Sequence, residues 1–273
     1  MHSAPTTALG RRNAEGDVMQ LQLATWPEVE TYLESSTGII VPIGSTEQHG
    51  PTGLIGTDAL TAEVIGRRVG EETGALVAPT VSIGMAQHHM AFKGSITYRP
   101  STLILVVRDM VMSLARHGFD RFFFVNGHGG NIMPVNTAFS EIHAELAEAV
   151  ALRGPGANQM PSEVFCRIAN WYQMPGVEAL KKELYGDKEG YHATPSEVAV
   201  TWYAYPDQRR DAPLDPIKNV GREIQGAEDY RRRYPDGRMA ADPSLAEPEH
   251  GKQFVETAAR ELAENYRKFL AAS

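Results

Sequence analysis

The 273-residue sequence predicts an α/β protein built in layers, and two observations lead there. From Leu21 onward, short β-rich apolar runs alternate with segments of helical periodicity. Residues of unusual chemistry then fall in loops that leave the carboxyl ends of those runs, where open α/β sheets bind their ligands. The apolar share of 42% is enough, at this length, for an extensive core.

Residues 1–18 include no apolar central region like that of a secretory signal and are expected to form a flexible tail ahead of one domain over residues 19–273. "TWPEVETYLES" opens as a helix, because Thr25 can cap it, Pro27 suits the first turn and Glu28 stands three residues after the cap. "GIIVPIG", Gly38 to Gly44, reads as a buried strand. Thr57 or Asp58 is expected to cap "ALTAEVIGRRVGEETG", which stops at Gly74, and "ALVAPTVSIG" supplies the next strand. Ser101 begins an amphipathic helix with Leu103, Ile104, Val107, Met110, Val111 and Leu114 on one face and Gly118 as its stop. "DRFFFVNGHGGN" is a strand running into glycines, and Asn131 begins the helix that carries Ala138, Ile142, Leu146 and Ala149. After "GPGANQMPS" come a strand holding Cys166, a short helix near Val177 to Leu184, a loop in which Asp187 and Glu189 read as solvated charges, and a helix from Ser196 to Ala204. The proline- and charge-rich stretch from Tyr205 to Glu249 is expected to wrap the surface without a core of its own, and an amphipathic helix closes the chain.

A net charge of -8 argues against a nucleic-acid partner, which needs a concentrated basic surface. No apolar run approaches the roughly 20 residues that span a bilayer, so no membrane partner is expected either. The single cysteine, Cys166, reads as a small buried residue and cannot form an internal disulfide, which fits a reducing, cytoplasmic setting.

"GSTEQHGPTGLIGTD" follows the first strand and holds Glu47, His49 and Asp58. Residues two apart share a face of an extended backbone, so Glu47 and His49 reach one small volume. Gly50 and Pro51 break the segment, and Gly53 and Gly56 permit the tight return that brings Asp58 back to its start. His128 leaves a strand too apolar for a surface edge, and Gly129 and Gly130 leave main-chain N–H groups free to face an anion. His192 and Glu197 make the third site. Glu47, Asp58 and Glu197 would gather three negative charges in one pocket, which bound cations make tolerable. Two divalent ions with neutral His49 and His128 leave about one positive charge, which a bridging hydroxide cancels, so the count favours two metals. Mixed imidazole and carboxylate donors suit zinc, manganese or iron.

The blocks "GSTEQHGP" with "GTD", "VNGHGGN" and "HATPSEVAV" resemble, in order and spacing, the three signature blocks of the creatininase (creatinine amidohydrolase) family along the stretch from Leu21 to Tyr205. "PTVSIGMAQHHMAFKGSIT" is similar to that family's loop ending in a phenylalanine, a small residue and Gly-Thr/Ser-Ile. The resemblance implies a single-domain α/β/α layered sandwich with a mostly parallel central sheet, a dinuclear centre commonly of zinc or manganese, and a homo-oligomer, usually a hexamer. Carried over by position, it implies that Glu47 and His128 bind one metal, that His49 binds the other, and that Asp58 bridges both, with Glu197 completing the second site. His192 is similar to a family residue that assists catalysis near the scissile bond, and His89 falls where members often have a pocket histidine. Two positions depart from the pattern. Creatininase itself reads closer to Asn-Gly-His-Tyr-Glu-Asn in the central block, with the glutamate a metal ligand, where this chain has Gly130; the usual histidine after "HGP" is Thr52. Glu197 stands in for that ligand, as in relatives with the His-Gly-Gly form, and creatinine is not carried over as the substrate.

The expected function is hydrolysis of a C–N bond in a small cyclic amide, formamide or peptide-like substrate. A water shared by two metals loses a proton near neutral pH and attacks the carbonyl carbon, N–H groups from Gly129 to Asn131 steady the oxyanion, and His192 protonates the leaving nitrogen. His88 and His89 point oppositely in an extended backbone, and His89 is the one expected in the pocket. Trp171 and Tyr191 are candidates for an aromatic wall, each equally open to ordinary packing. Two other classes compete. A structural metal site in a non-catalytic scaffold would tend to be closed and cysteine-rich, unlike this carboxylate-rich set. A nucleotide-binding module at the glycines beside His128 lacks the following Lys-Ser/Thr.

Overall fold

The structure is a computed structural model that describes residues 18–151 and 161–272, with the side chains of 149–151 left aside. Residues 1–17 of the expected tail, most of "GPGANQMPS" and the side chain of Ala149 therefore lie outside the described residues, whereas Val18 packs against the core.

Helix α1 (Trp26–Leu33) starts behind Thr25, whose main-chain N–H and hydroxyl both donate to the Glu28 carboxylate at 2.7 Å. Strand β1 (Gly38–Ile43) is buried throughout. Helix α2 (Thr57–Thr73) corrects the expected cap: Gly56 is the N-cap and Asp58 already lies in the first turn. The Thr57 hydroxyl donates back to the Leu54 carbonyl at 2.6 Å, which leaves the Asp58 carboxylate free of capping duty. Strand β2 is cut to Leu76–Val77 because Pro79 has no N–H to continue a ladder, although Val81 still bridges Ile43 beyond it. Then follow α3 (Pro100–Ala115), β3 (Arg121–Asn126), α4 (Ile132–Ala151), β4 (Phe165–Asn170), α5 (Pro175–Leu184), α6 (Pro195–Ala204), α7 (Ala227–Arg233) and α8 (Pro248–Ala271).

The four strands run parallel in the order β2-β1-β3-β4. Ile40, Val77, Phe123 and Val125 face a layer made by α2, α5, α6 and α8, while Ile39, Val41, Phe122 and Phe124 face α3 and α4. Helices on both faces explain why β1 and β3 read as unbroken apolar runs rather than alternating ones. The result is an α/β/α sandwich. Cys166 is half-buried in edge strand β4, and burial pushes its thiol up to about 12, so it stays protonated and inert.

Residues 205–249 do more than wrap the surface. Tyr230 and Tyr234 pack with Phe92 and Met239 into a small core of their own, and the buried Arg238 is held by the Asp236 carboxylate at 2.7 Å. Aromatic residues spaced through a charged stretch supply enough apolar area for this satellite. Among the described residues no helix is long and apolar enough to cross a membrane.

Phe123 is fully buried, with its ring 5.6 Å from that of Tyr266 and 5.8 Å from that of Phe269, both on α8. Phe123→Ala should cost about 3–5 kcal/mol in urea unfolding; a loss under about 1 kcal/mol would show that α8 does not depend on this contact.

Candidate metal centre

Ile43, Asn126 and Asn170 pair side by side, so β1, β3 and β4 end level and their following loops open at one edge of the sheet. Two asparagines lace these ends together. The Asn126 amide donates to the His128 carbonyl and to Asn170 Oδ1, each at 2.7 Å. Asn131 donates to the Gly44 carbonyl at 2.9 Å and accepts the Met85 N–H at 3.1 Å. The loop after β1 folds back through a bridge between His49 and Gly53, which returns Asp58 to the residues that began it.

Asp58 then lies between two rings: Oδ1 is 3.0 Å from His49 Nε2 and Oδ2 is 2.9 Å from His128 Nδ1. Glu47 Oε2 is 3.3 Å from His128 Nε2, while Oε1 is 3.1 Å from His89 Nε2 and 3.8 Å from His192 Nδ1. Glu197 Oε2 stands 3.7 Å from His49 Nε2, and its Oε1 accepts the Thr194 N–H at 3.0 Å to cap α6. Between His192 and that cap, Ala193 sits in the left-handed region at φ 55°, at a cost of about 1 kcal/mol. The cluster is deep: Glu47 is 1% exposed and Asp58 3%.

Two details fit divalent cations. Glu47 Oε1 and Asp58 Oδ2 are buried and lack an aligned hydrogen-bond donor, despite ring nitrogens at 3.1 and 2.9 Å. In addition, His49 Nδ1 donates to the Glu47 carbonyl at 3.0 Å, His128 Nε2 to the Met85 carbonyl at 3.0 Å and His192 Nε2 to the Gln48 carbonyl at 2.7 Å. A carbonyl can only accept, so the other nitrogen of each neutral ring turns a lone pair to the carboxylates, the arrangement of metal-ligating histidines. Glu47–Asp58–His128, His49–His192–Glu197 and Glu47–His89–His192 each bring three donor atoms within 4.8 Å of one another.

Without cations, protons do the compensating. Burial lowers His49 and His128, but the carboxylates outweigh it: Asp58 and Glu197 raise His49 well above its ordinary value, and Glu47 with Asp58 raises His128 to about 9. Burial would raise Asp58 and Glu197, yet the neighbouring rings hold both below the usual carboxylate range. Burial, helped by the other rings, pushes His192 down to about 3 and His89 to about 2. His192 is thus neutral at pH 7, so it must first take up the proton that it is expected to give the leaving nitrogen.

Other expectations change too. Trp171 is 1% exposed in the core beneath α2, its indole N–H donating to the Thr61 hydroxyl at 3.2 Å, so it walls no pocket. Tyr191 faces outward with the Arg222 guanidinium 4.6 Å from its ring centre. Gly129 to Asn131 form a 3-10 turn in which the Asn131 N–H is already bound to the His128 carbonyl, removing one expected oxyanion donor. His88 and His89 lie in another such turn rather than an extended segment, and His89 is the ring beside Glu47. A Cβ at Gly130 would collide with the His128 ring and the Met85 carbonyl, so a glutamate there would require that ring to move. Glu189 is not a solvated charge: it accepts the Ser196 hydroxyl, and burial raises its carboxyl to about 7. Sequence reasoning missed Asn126, Asn131 and Gln48, whose roles depend on partners far along the chain.

A parallel α/β/α sandwich with an aspartate shared between two histidines at the carboxyl edge of its sheet defines a class of layered proteins with a candidate dinuclear centre. This chain belongs to the creatininase family, whose model, described as creatinine amidohydrolase, matches residues 22–266. It is 33% identical over 135 residues to the mycofactocin precursor peptide peptidase of Mycobacterium ulcerans (strain Agy99), covering 46% of this chain and 50% of that protein. It is 33% identical over 115 residues to a creatinine amidohydrolase of Pseudomonas putida, covering 40% and 44%. The chain thus spans about half the length of the curated relatives it matches. A solved structure described as creatininase Mn superposes with a TM-score of 0.77 at 23% identity, over 93% of this chain and 99% of that one, and supports the fold.

At pH 7 the proton on His128, raised to about 9, and that on His49 must leave before a cation takes their place. Metal binding should release about two protons, and displacing the His128 proton should raise affinity by about tenfold per pH unit up to about pH 9. Calorimetry in buffers of different ionisation enthalpy reads this, and binding without proton release would refute it. Glu189 supplies a second test. Its carboxyl is raised from 4.5 to about 7, so the folded chain keeps a proton that the unfolded chain has lost; this stability is full below 4.5 and fades as pH climbs through about 7. Glu189→Gln should flatten that decline in thermal melts, and an unchanged slope would count against it.

Proposed function

We propose that this protein is a metal-dependent amidohydrolase that cleaves a C–N bond in a small cyclic amide, formamide or peptide-like substrate. The observation that carries this reading is Asp58, whose two oxygens each face a different histidine, His49 and His128. In this reading Glu47 and His128 hold one ion, His49 and Glu197 the other, and Asp58 serves both. Zinc or manganese suits the mixed donors, with iron a third choice. Bound there, the ions would acidify a water molecule and polarise the substrate carbonyl.

The chain's own groups then handle the proton. His192 is anchored through Nε2 to the Gln48 carbonyl at 2.7 Å, so Nδ1 is its working atom. Being neutral, it takes a proton from the attacking water as the C–O bond forms and returns it to the nitrogen as the C–N bond breaks. Burial of the cluster keeps competing water out. A groove of about 610 Å³ opens beside Gln48 and His49, lined by Ile55, Phe92, Lys93, Arg231 and Asp236. Its size suits a substrate larger than a single small ring, and the relative named as a precursor peptide peptidase supports a peptide-like one. Lys93 and Arg231 at its rim favour a substrate carrying a carboxylate. We place the protein in the cytoplasm as a homo-oligomer, a hexamer by family resemblance; the exposed Leu23, Trp26 and Met133 side chains are apolar surface that another copy would cover.

The test is elemental analysis of protein purified without chelator, followed by turnover of creatinine, lactams, formamides and short peptides. About two equivalents of metal and chelator-sensitive hydrolysis are expected. Asp58→Asn should lose metal and at least about a hundredfold in rate; retention of both ions and full turnover would overturn the assignment.

A further inference from the structure

The pocket histidines differ in kind, and the difference traces to one residue. Gln48 stands between Glu47 and His49 and is 7% exposed. Its amide has only one workable orientation. Oε1 accepts the Gly50 N–H at 2.9 Å and Nε2 donates to the Gly237 carbonyl at 2.9 Å, so exchanging the two atoms would set donor against donor and acceptor against acceptor. Gly237, at φ 85°, leaves the space this amide fills, since a Cβ there would overlap it. The remaining amide hydrogen points to His89 Nδ1 at 3.0 Å; the Tyr230 hydroxyl, which itself donates to the Gly237 carbonyl at 2.8 Å, lies farther off at 3.4 Å.

A ring nitrogen that accepts carries no hydrogen, so the His89 proton sits on Nε2, the atom 3.1 Å from Glu47 Oε1. The main chain of the same residue acts on the other ring. The Gln48 carbonyl takes the His192 Nε2–H, leaving Nδ1 bare 3.8 Å from that same Glu47 oxygen. We propose that Gln48 is a positioning residue that sorts the two pocket histidines, fixing the His89 proton on Nε2 and leaving His192 Nδ1 as a lone-pair acceptor. It follows that His89 lies outside the ligand set: the group Glu47–His89–His192, which distance alone allows, has no lone pair to offer at His89. The catalytic consequence, one acceptor for the water proton at His192 and a His89 that offers an ion no lone pair, rests on the hydrolase reading above; the tautomers do not.

The test is a long-range proton–nitrogen correlation spectrum of the zinc-treated full chain with nitrogen-15 histidine, in which removal of each ring in turn assigns its signals. His89 should carry its proton on Nε2 alone. In Gln48→Glu the carboxylate can only accept, so a proton should appear on His89 Nδ1, while His192 keeps its form because its partner is a main-chain carbonyl. Gln48→Met, with no hydrogen-bonding amide, should give a mixture at His89 and again no change at His192. A wild-type His89 protonated on Nδ1, or a His89 that ignores both folded variants, would overturn the proposal. Wild type and Gln48→Met decide the matter even if Gln48→Glu does not fold. Because nothing here requires turnover, a protein that hydrolysed none of the amides would sink the hydrolase reading and still report its tautomers.

Discussion

Gathering three carboxylates beside one another, Glu47 and Asp58 buried and Glu197 half-buried, is the constraint on which the rest of this structure depends. Glu47, Asp58 and Glu197 come from loops and helix starts separated by up to 150 positions in sequence, and they meet in one cluster in which Glu47 and Asp58 are almost fully buried. Like charges at such separations, in a medium that screens poorly, are unfavourable unless positive charge lies among them. Protons on His49 and His128, whose affinities the facing carboxylates raise above the ordinary value, can supply that charge. On the reading proposed above the site would exchange those protons for cations, and the level strand ends, the asparagine laces and the return of the first loop hold the candidate donors in place.

Several residues carry two duties, which ties the site to the stability of the scaffold. Glu197 caps α6 with one oxygen and faces His49 with the other. Its cap partner Thr194 contacts the Ser196 hydroxyl, which donates to Glu189, so a buried carboxyl outside the cluster touches the element that aims one inside it. Asp58 shows the opposite division of labour: Gly56 and Thr57 occupy the helix start, and the aspartate is released to face the two rings. Gln48 joins the groups through both side chain and main chain, drawing the small aromatic core around Tyr230 into contact with the residues between β1 and α2.

The layered fold and most candidate donors were legible in the sequence because they depend on local pattern. Apolar runs bounded by turn residues foretell buried parallel strands, and Glu47 and His49 two apart on a broken extended segment foretell a shared target. Failures came where local signals compete or where partners are remote. Thr57 and Asp58 are both good caps, and sequence could not choose Gly56 over them. Trp171 and Tyr191 carry equal aromatic character, yet one packs under α2 and the other meets solvent. Residues 205–249 look like surface wrapping until Tyr230, Tyr234 and Phe92 meet across more than a hundred positions.

By itself, then, the sequence determined which strands are buried, which loops carry ligand-type side chains and which family signature they spell, because backbone periodicity and turn chemistry act over a few residues. Only the tertiary structure decided which nitrogen of each histidine faces the carboxylates, which asparagines lace the strand ends and how Gln48 is oriented. Those outcomes follow from hydrogen bonds to main-chain groups such as Gly44, Met85 and Gly237, and a main-chain carbonyl has the same chemistry in every residue, so nothing in the sequence marks the one that will be used.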